Sequence, residues 1–352
     1  MEHYDSGEPV ITRFQGTELL TTSAKAFKAN DILIARRNVY LKRAGIVFFD
    51  GITSGDSIIL RLKEDTQKTI GYSREDLIRY IPFMLNSEHF WIYANKHADG
   101  MNSKRISKDT LLEYEFELPS IDEMRDISDK LWAAYRLKEA YKKLLVTTDE
   151  MVKSQFIEMY YNTHNKQTLE SVCPIMSKGI TPKYVESSSV LVINQACIHW
   201  DGQRLGNIKY HNEEIPVRKR ILESGDVLLN ATGNGTLGRC CVFICPSDNN
   251  TYINDGHVIA LSTDRAVILP EVLNTYLSLN DTQAEIYRQY VTGSTNQVDI
   301  VFSDIKKMKV PVPSMDEQIL FVEVLKQADK SKFELKQCIE HIDKVIKSLI
   351  NG

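Results

Sequence analysis

Apolar and polar positions follow two periods along this chain, and the switch between them marks its parts. Short apolar runs bounded by Asp, Gly and Asn come first: DILIA at 31–35, GIVFF at 45–49 and SIILRL at 57–62, with an Asp50-Gly51 turn between the last two. Runs this short with such punctuation predict a mostly antiparallel sheet. From 73 to 98 the period becomes helical, with Leu77, Ile78, Ile81, Met84, Leu85 and Phe90 on one side and Pro82 expected to divide the helix. A polar, basic loop, GMNSKR at 100–105, follows. The second half runs in the same style. It has a strand SVLVIN at 189–194, a strand DVLL at 226–229, a glycine turn TGNGTLGR at 232–239, a return strand at 240–245, VIAL at 258–261, a helix at 270–290 and a loop GSTNQ at 293–297.

Two stretches, 117–151 and 311–349, are longer than anything else and contain amphipathic runs free of internal Pro and Gly. Along the first and just past its end, Ile127, Leu131, Ala134, Leu137, Tyr141, Leu144, Leu145, Val152 and Phe156 recur mostly at three- and four-residue steps. In the second the series is Leu325, Ala328, Leu335, Ile339, Ile342, Val345, Ile346 and Leu349. Ser120 with Glu123 has the form of a capping box, and Asp122 suits the positive end of the helix dipole. At about 1.5 Å per residue such helices are on the order of 50 Å long and need a long partner. Each is the other's natural partner, and the domain between them predicts an antiparallel pair.

The two stretches are also copies. Pro119 and Pro313, Asp122 and Asp316, and Glu123 and Glu317 each stand 194 positions apart, and Asp31 of DILIA and Asp226 of DVLLN stand 195 apart. Landmarks kept in register over that distance predict a two-unit repeat. About 57 residues separate Leu169 from Asp226, whereas only 30 precede Asp31, so the first unit is expected to be abbreviated or to lack its opening strands.

Composition narrows the classes. With 352 residues, 43% apolar and 26% charged, the chain has room for two or more globular domains. No apolar run approaches 18 residues and residues 1–9 are polar, so neither a membrane span nor a signal peptide is predicted. Six cysteines, none before Cys173, make a poor disulfide framework and predict a reducing cytoplasm. A net charge of −4 means that a nucleic-acid partner would be held by local basic patches.

Motifs of catalysis are scarce. Gly233-x-Gly235-x-x-Gly238 matches the dinucleotide pattern, but a strand is predicted after it where a helix N-terminus would be needed. A hairpin turn is the plainer reading, with a phosphate-approaching turn beside it. Cys240, Cys241 and Cys245, with His257 as a candidate fourth ligand, lack metal-site spacing, and the cysteines read as core residues. No Gly-x-Ser-x-Gly, His-Glu-x-x-His, Walker loop or methylase tetrad occurs. Basic and amide residues instead gather at corresponding loops. Arg36, Arg37, Lys42 and Arg43 match the turn with Asn230, Thr232, Asn234 and Arg239, while Asn102, Ser103, Lys104 and Arg105 match Ser294, Thr295, Asn296 and Gln297. These side-chain types read purine edges and bind phosphates. Two further readings stay open: a protein-binding coiled-coil scaffold without a DNA role, and the recognition part of a nuclease or methyltransferase acting alone.

The paired strings ELPSIDEM and VPVPSMDEQ, the units DILIARRNVYLKRAG and DVLLNATGNGTLGR, and the GSTNQ loop before the second Pro-x-Pro together resemble the specificity subunit of Type I restriction–modification enzymes. Met124 in place of Gln318 is one departure, and the short opening of the first domain is another.

The resemblance implies an α+β fold: two similar target-recognition domains, mostly antiparallel β with helices, joined by two long antiparallel coiled-coil helices in a pseudo-twofold repeat. The expected boundaries are a first recognition domain at 1–118, a central helix at 119–164, a second recognition domain at 165–312 and a C-terminal helix at 313–352. The first reading surface would hold Arg36, Arg37, Lys42, Arg43, Asn102, Ser103, Lys104 and Arg105. The second would hold Lys178, Thr181, Lys183, Asn230, Thr232, Asn234, Arg239, Ser294, Thr295, Asn296 and Gln297. Leu131, Leu137, Leu144, Leu325, Ile339 and Ile342 would mark the partner-binding helices. Implied partners are double-stranded DNA, two modification subunits carrying S-adenosylmethionine, and restriction subunits using ATP and Mg; the chain itself would carry no cofactor and no catalytic residue.

Overall fold

The structure is a computed structural model and describes residues 3–16, 24–101, 103–158, 163–294 and 297–351. It divides into two compact units, one of residues 1–144 with 333–352 and the other of residues 145–332. Each unit therefore takes part of both long helices, and the division falls inside those helices.

In the first unit the strand Ile32–Ala35 lies between Ala44–Ile46 and Ser57–Leu60, antiparallel to both. Its four residues are all buried because the sheet is covered on both faces. Ile32 and Ile34 face a core with Phe83, Phe90, Trp91, Leu131 and Ile342, while Leu33 and Ala35 face Tyr4, Ile11, Phe27 and Val47. Two expectations fail here. Asp50-Gly51 is not a turn: Gly51–Ser54 is a strand paired with Ala24–Phe27. A Cβ at Gly51 would come within 2.6 Å of the Phe27 ring, so the glycine makes room for an aromatic side chain. Pro82 does not divide the helical stretch either, since it lies inside Arg74–Met84. The break comes at Ser87, whose hydroxyl caps Glu88–Lys96 by accepting Phe90 N–H at 3.2 Å.

The second unit has the same centre with more around it. Val227–Asn230 lies between Cys240–Val242 and Val258–Ser262, and Ile175–Lys178 extends that sheet. A second sheet runs Thr251–Asn254, Val190–Ile193, Lys209–His211, Tyr184–Val185; its first pair is parallel and its other two are antiparallel. Val227 and Leu229 point into one core with Phe156 and Phe321, and Leu228 into another with Leu191 and Tyr252. Cys240 and Cys241 divide between these cores, as adjacent strand residues must. The helix expected at 270–290 is two helices, Pro270–Ser278 and Asn280–Gln289, separated at Leu279, which is extended.

The surroundings of the two central strands match bond by bond. Lys28 N–H donates to the Asp31 carboxylate at 2.7 Å, and Glu223 N–H donates to Asp226 at 2.9 Å. Val47 N–H donates to Asp31 C=O at 3.0 Å, and Phe243 N–H to Asp226 C=O at 2.8 Å. At the other end of each strand, Ala35 N–H meets Arg43 C=O and Asn230 N–H meets Arg239 C=O, at 3.0 and 2.8 Å.

The long helices span Ile121–Phe156 and Met315–Asn351. Both begin with the expected capping box: Ser120 Oγ donates to Glu123 at 2.7 Å and Ser314 Oγ donates to Glu317 at 2.6 Å, with the backbone N–H of each serine on the same carboxylate. Within the first unit Leu131 and Tyr135 share a core with Ile342 and Ile346, and Lys138 pairs with Asp343 at 2.6 Å. Within the second, Lys332 pairs with Asp149 at 2.9 Å and the Phe156 and Phe321 rings are 5.1 Å apart.

Candidate nucleic-acid interface

In the first unit the central strand runs out into Arg36, Arg37 and Asn38, and the loop predicted separately at 100–105 comes back against it. Ile106 N–H donates to Arg36 C=O at 3.0 Å, Asn38 N–H donates to Lys104 C=O at 2.8 Å, and Arg37 and Arg105 form a β-bridge. Side chains knit the same place: Arg37 Nε donates to Ser103 Oγ at 2.8 Å, and Ser103 Oγ to Asn38 Oδ1 at 3.0 Å. Four of the predicted residues, Arg37, Ser103, Lys104 and Arg105, are thereby brought together with Arg36. Lys42 is exposed beyond the short turn Val39–Leu41, in left-handed backbone with φ 49°, and Arg43 is half-buried behind it. Asn102 lies outside the described residues.

The second unit repeats the juxtaposition. Ile300 N–H donates to Ala231 C=O at 2.8 Å, and Thr232 bridges Asp299. The predicted loop at 293–297 is the end of a hairpin, Val291–Ser294 with Gln297–Ile300. Thr295 and Asn296 lie outside the described residues, and only the backbone of Ser294 and Gln297 is described. Thr232 is held by Gln195, whose amide donates to its C=O at 2.9 Å and also to its hydroxyl, and by His257 Nδ1 at 2.9 Å from that hydroxyl. Gly233 and Gly235, with φ of 102° and 78°, turn the chain so that Asn234 is exposed at the tip. A strand follows at Cys240–Val242, so the turn does not run on into a helix.

Asn230 corrects the prediction. It is fully buried, and its amide donates to Gln195 C=O at 3.2 Å, so it supports the turn from beneath and is out of reach of a base. Lys178 is not a free cation, because its Nζ lies 2.9 and 2.8 Å from the two Asp299 oxygens. Thr181 and Lys183 are exposed on the segment beyond it, and Arg239 is half-buried at the foot of the glycine turn. Sequence reasoning missed Gln195, Asp299 and Asp56, which come from distant segments and belong to no local motif, and it weighed His257 only as a metal ligand beside the cysteines. Gln195 also borders an open cavity of about 700 Å³ lined by Tyr184, Asn194, Lys209 and Asp255. Burial pushes the Asp255 carboxyl up.

Of the residues expected on partner-binding helices, Leu131 and Ile342 are buried in the first unit's core and cannot be offered to another subunit. Leu325 and Ile339 are half-buried, Leu325 against the second unit's core. Leu137 and Leu144 are 45% and 49% exposed. No group of three or more His, Cys, Asp or Glu that could hold a metal occurs among the described residues. No described helix is long and apolar enough to cross a membrane.

Comparison with known proteins supplies the context for these surfaces. No curated protein matches the chain. A chain from work on complex assembly and conformational transition of the type I R-M system is 15% identical, with a TM-score of 0.60 over 99% of this chain and 88% of that one. The Type-I restriction-modification system S subunit from M. genitalium is 14% identical, with a TM-score of 0.51 over 92% and 84%. At such identities the likeness is one of fold. The family model for the Type I restriction modification DNA specificity domain matches residues 165–343, more than half of the 352. Those residues hold the second unit's glycine turn, its bridging hairpin and the start of the C-terminal helix, and on this match the chain belongs to the Type I restriction modification DNA specificity family.

Proposed function

We propose that this chain is the DNA-recognition subunit of a Type I restriction–modification complex, reading a target in two halves with one unit for each. The observation that carries the reading is the recurring bridge. In both units the turn after the central strand is joined to a second polar segment, Arg37 to Arg105 and Thr232 to Asp299. Each junction gathers donors and acceptors of the kind that contact base edges and phosphates: Arg37, Ser103, Lys104 and Arg105 in one, Thr232, Asn234, His257 and Lys178 in the other.

The long helices act in this reading as an antiparallel coiled coil that spaces the two readers in a pseudo-twofold repeat. The second unit's contacts support the direction, since Asp149 meets Lys332 while Phe156 meets Phe321, one number rising as the other falls. Helices of about 50 Å exceed one B-DNA turn of about 34 Å, which suits a target interrupted by several base pairs. Two modification subunits would dock on the helices, with Leu137 and Leu144 as candidate contacts. They would bring S-adenosylmethionine and methylate adenine, and restriction subunits would bring ATP-driven cleavage with Mg. The chain would supply recognition and no catalytic group.

Methylation mapping by long-read sequencing tests this in a host expressing the chain with its modification subunit, beside a host lacking it. The expected result is a bipartite motif with modified adenine on both sides of a fixed gap. A motif with one half only would remove the first unit from the reading, and no new methylation would favour the scaffold alternative.

A further inference from the structure

The bridge that recurs in both units carries opposite charges. In the first unit the bridging residue is Arg105, with its guanidinium 3.8 Å from the Asp56 carboxylate. In the second, 194 positions on, it is Asp299, and the cation is Lys178 at 2.8 Å. Each reader therefore pairs its bridging residue with an opposite charge, drawn from a different element in each: Asp56 precedes the strand beside the central one, and Lys178 lies on the strand beyond its counterpart. The constant feature is the pairing, whichever element supplies the acid.

A carboxylate on a surface that meets phosphates is repelled by them, so its presence in both units calls for a use. Stability is a poor candidate: the side chains are 46% and 29% exposed in the first pair and 27% and 45% in the second, and ion pairs this open contribute little to folding. Reading a base amino group is a second candidate, but it would fix the acid to one element, and here the acid changes element between units. Competition with phosphate accounts for both arrangements. A cation already paired gains less from a non-specific phosphate, and the pair is weak enough to open when base-edge contacts seat the correct sequence.

We propose that Asp299 and Asp56 are specificity-determining residues that hold Lys178 and Arg105 back from the phosphates of non-target DNA. This rests on the DNA-recognition reading above. The test is equilibrium binding of the full chain to a pool of random-sequence duplexes across a salt series, with sequencing of the bound fraction. Asp299→Asn is expected to raise affinity for the unselected pool by about three- to tenfold and to steepen the log–log salt slope by about 0.9, the value for one added phosphate contact. It should also blur one half of the selected motif while leaving the melting temperature in place. Asp56→Asn should blur the other half. Adding Lys178→Met to Asp299→Asn should return pool affinity to its starting level. Loss of target binding alone in Asp299→Asn, with pool affinity unchanged, would overturn the proposal in favour of direct base reading by the carboxylate, and no change in either would overturn it as well. If the unsubstituted chain selects no motif, the DNA-recognition reading itself falls, and the proposal with it.

Discussion

The two units keep the same backbone bonds around their central strand and support them with different side chains. Asp31 and Asp226 each accept a backbone N–H from three residues back, yet their cations differ in kind. Arg61, which reaches Asp31 at 2.6 Å, is 55% exposed; Arg220, which reaches Asp226 at 2.9 Å, is 14% exposed and shares the carboxylate with Ser262. The helix starts differ in the same way. Gln318 is fully buried, and its amide accepts Leu269 N–H at 2.8 Å and donates to Val267 C=O at 2.9 Å and Pro313 C=O at 3.0 Å. Met124, at the matching place, is equally buried and offers no such bonds; there Tyr72 donates to Pro119 C=O at 2.9 Å, and Arg125 pairs with Asp76. What the two units share is the demand of the backbone for a partner, and each meets that demand with whatever its surroundings provide.

Removing the two aspartates breaks the comparison most sharply. Asp226→Ala leaves Arg220 charged and largely buried, a loss of about 3–5 kcal/mol. Asp31→Ala leaves Arg61 free to turn to water and costs about 1–3 kcal/mol, chiefly for the orphaned backbone N–H. Hydrogen exchange resolved by unit, in rising urea, should show the larger loss in the second unit; equal losses would refute the distinction. Exchanging the helix-start residues comes next. Gln318→Met strands Leu269 N–H and Val267 C=O for about 1–3 kcal/mol, and Met124→Gln buries an amide without partners at a similar cost. A stabilised Met124→Gln variant, read by thermal melting, would mean that the first unit holds a hidden partner for it. Ser120→Ala and Ser314→Ala should each cost about 1 kcal/mol and match one another, because the capping boxes are alike.

The smallest effect per residue is the response to pH. In the first unit burial works against the Glu8 carboxylate, but Lys138 and Lys142 at 2.8 and 2.9 Å hold it below the ordinary range. Asp31, likewise buried, is held down by Arg61, and Asp76 chiefly by Arg125. Groups lowered by folding stabilise the fold above their unfolded values, and that contribution is lost as pH falls through the folded ones. Asp255 in the second unit is raised by burial and has the opposite sign: it favours folding at low pH and loses that contribution as pH rises through its folded value. Acid titration followed by unit-resolved hydrogen exchange should therefore loosen the first unit before the surroundings of Asp255.

The sequence by itself determined the parts that depend on neighbours in the chain. The buried strands after Asp31 and Asp226 and the two long helices with their capping boxes could be read there, because apolar period and cap chemistry are local. Local signals also misled: Pro82 and Asp50-Gly51 read as breaks, and the structure absorbs the first in a helix and uses the second to admit the Phe27 ring. Only the tertiary structure decided that Asn230 is interior and Lys178 already paired, and that Gln195 and His257 hold the second turn. Such contacts join residues up to 121 positions apart, as Lys178 and Asp299 are, and no local period or motif records which distant side chain will arrive.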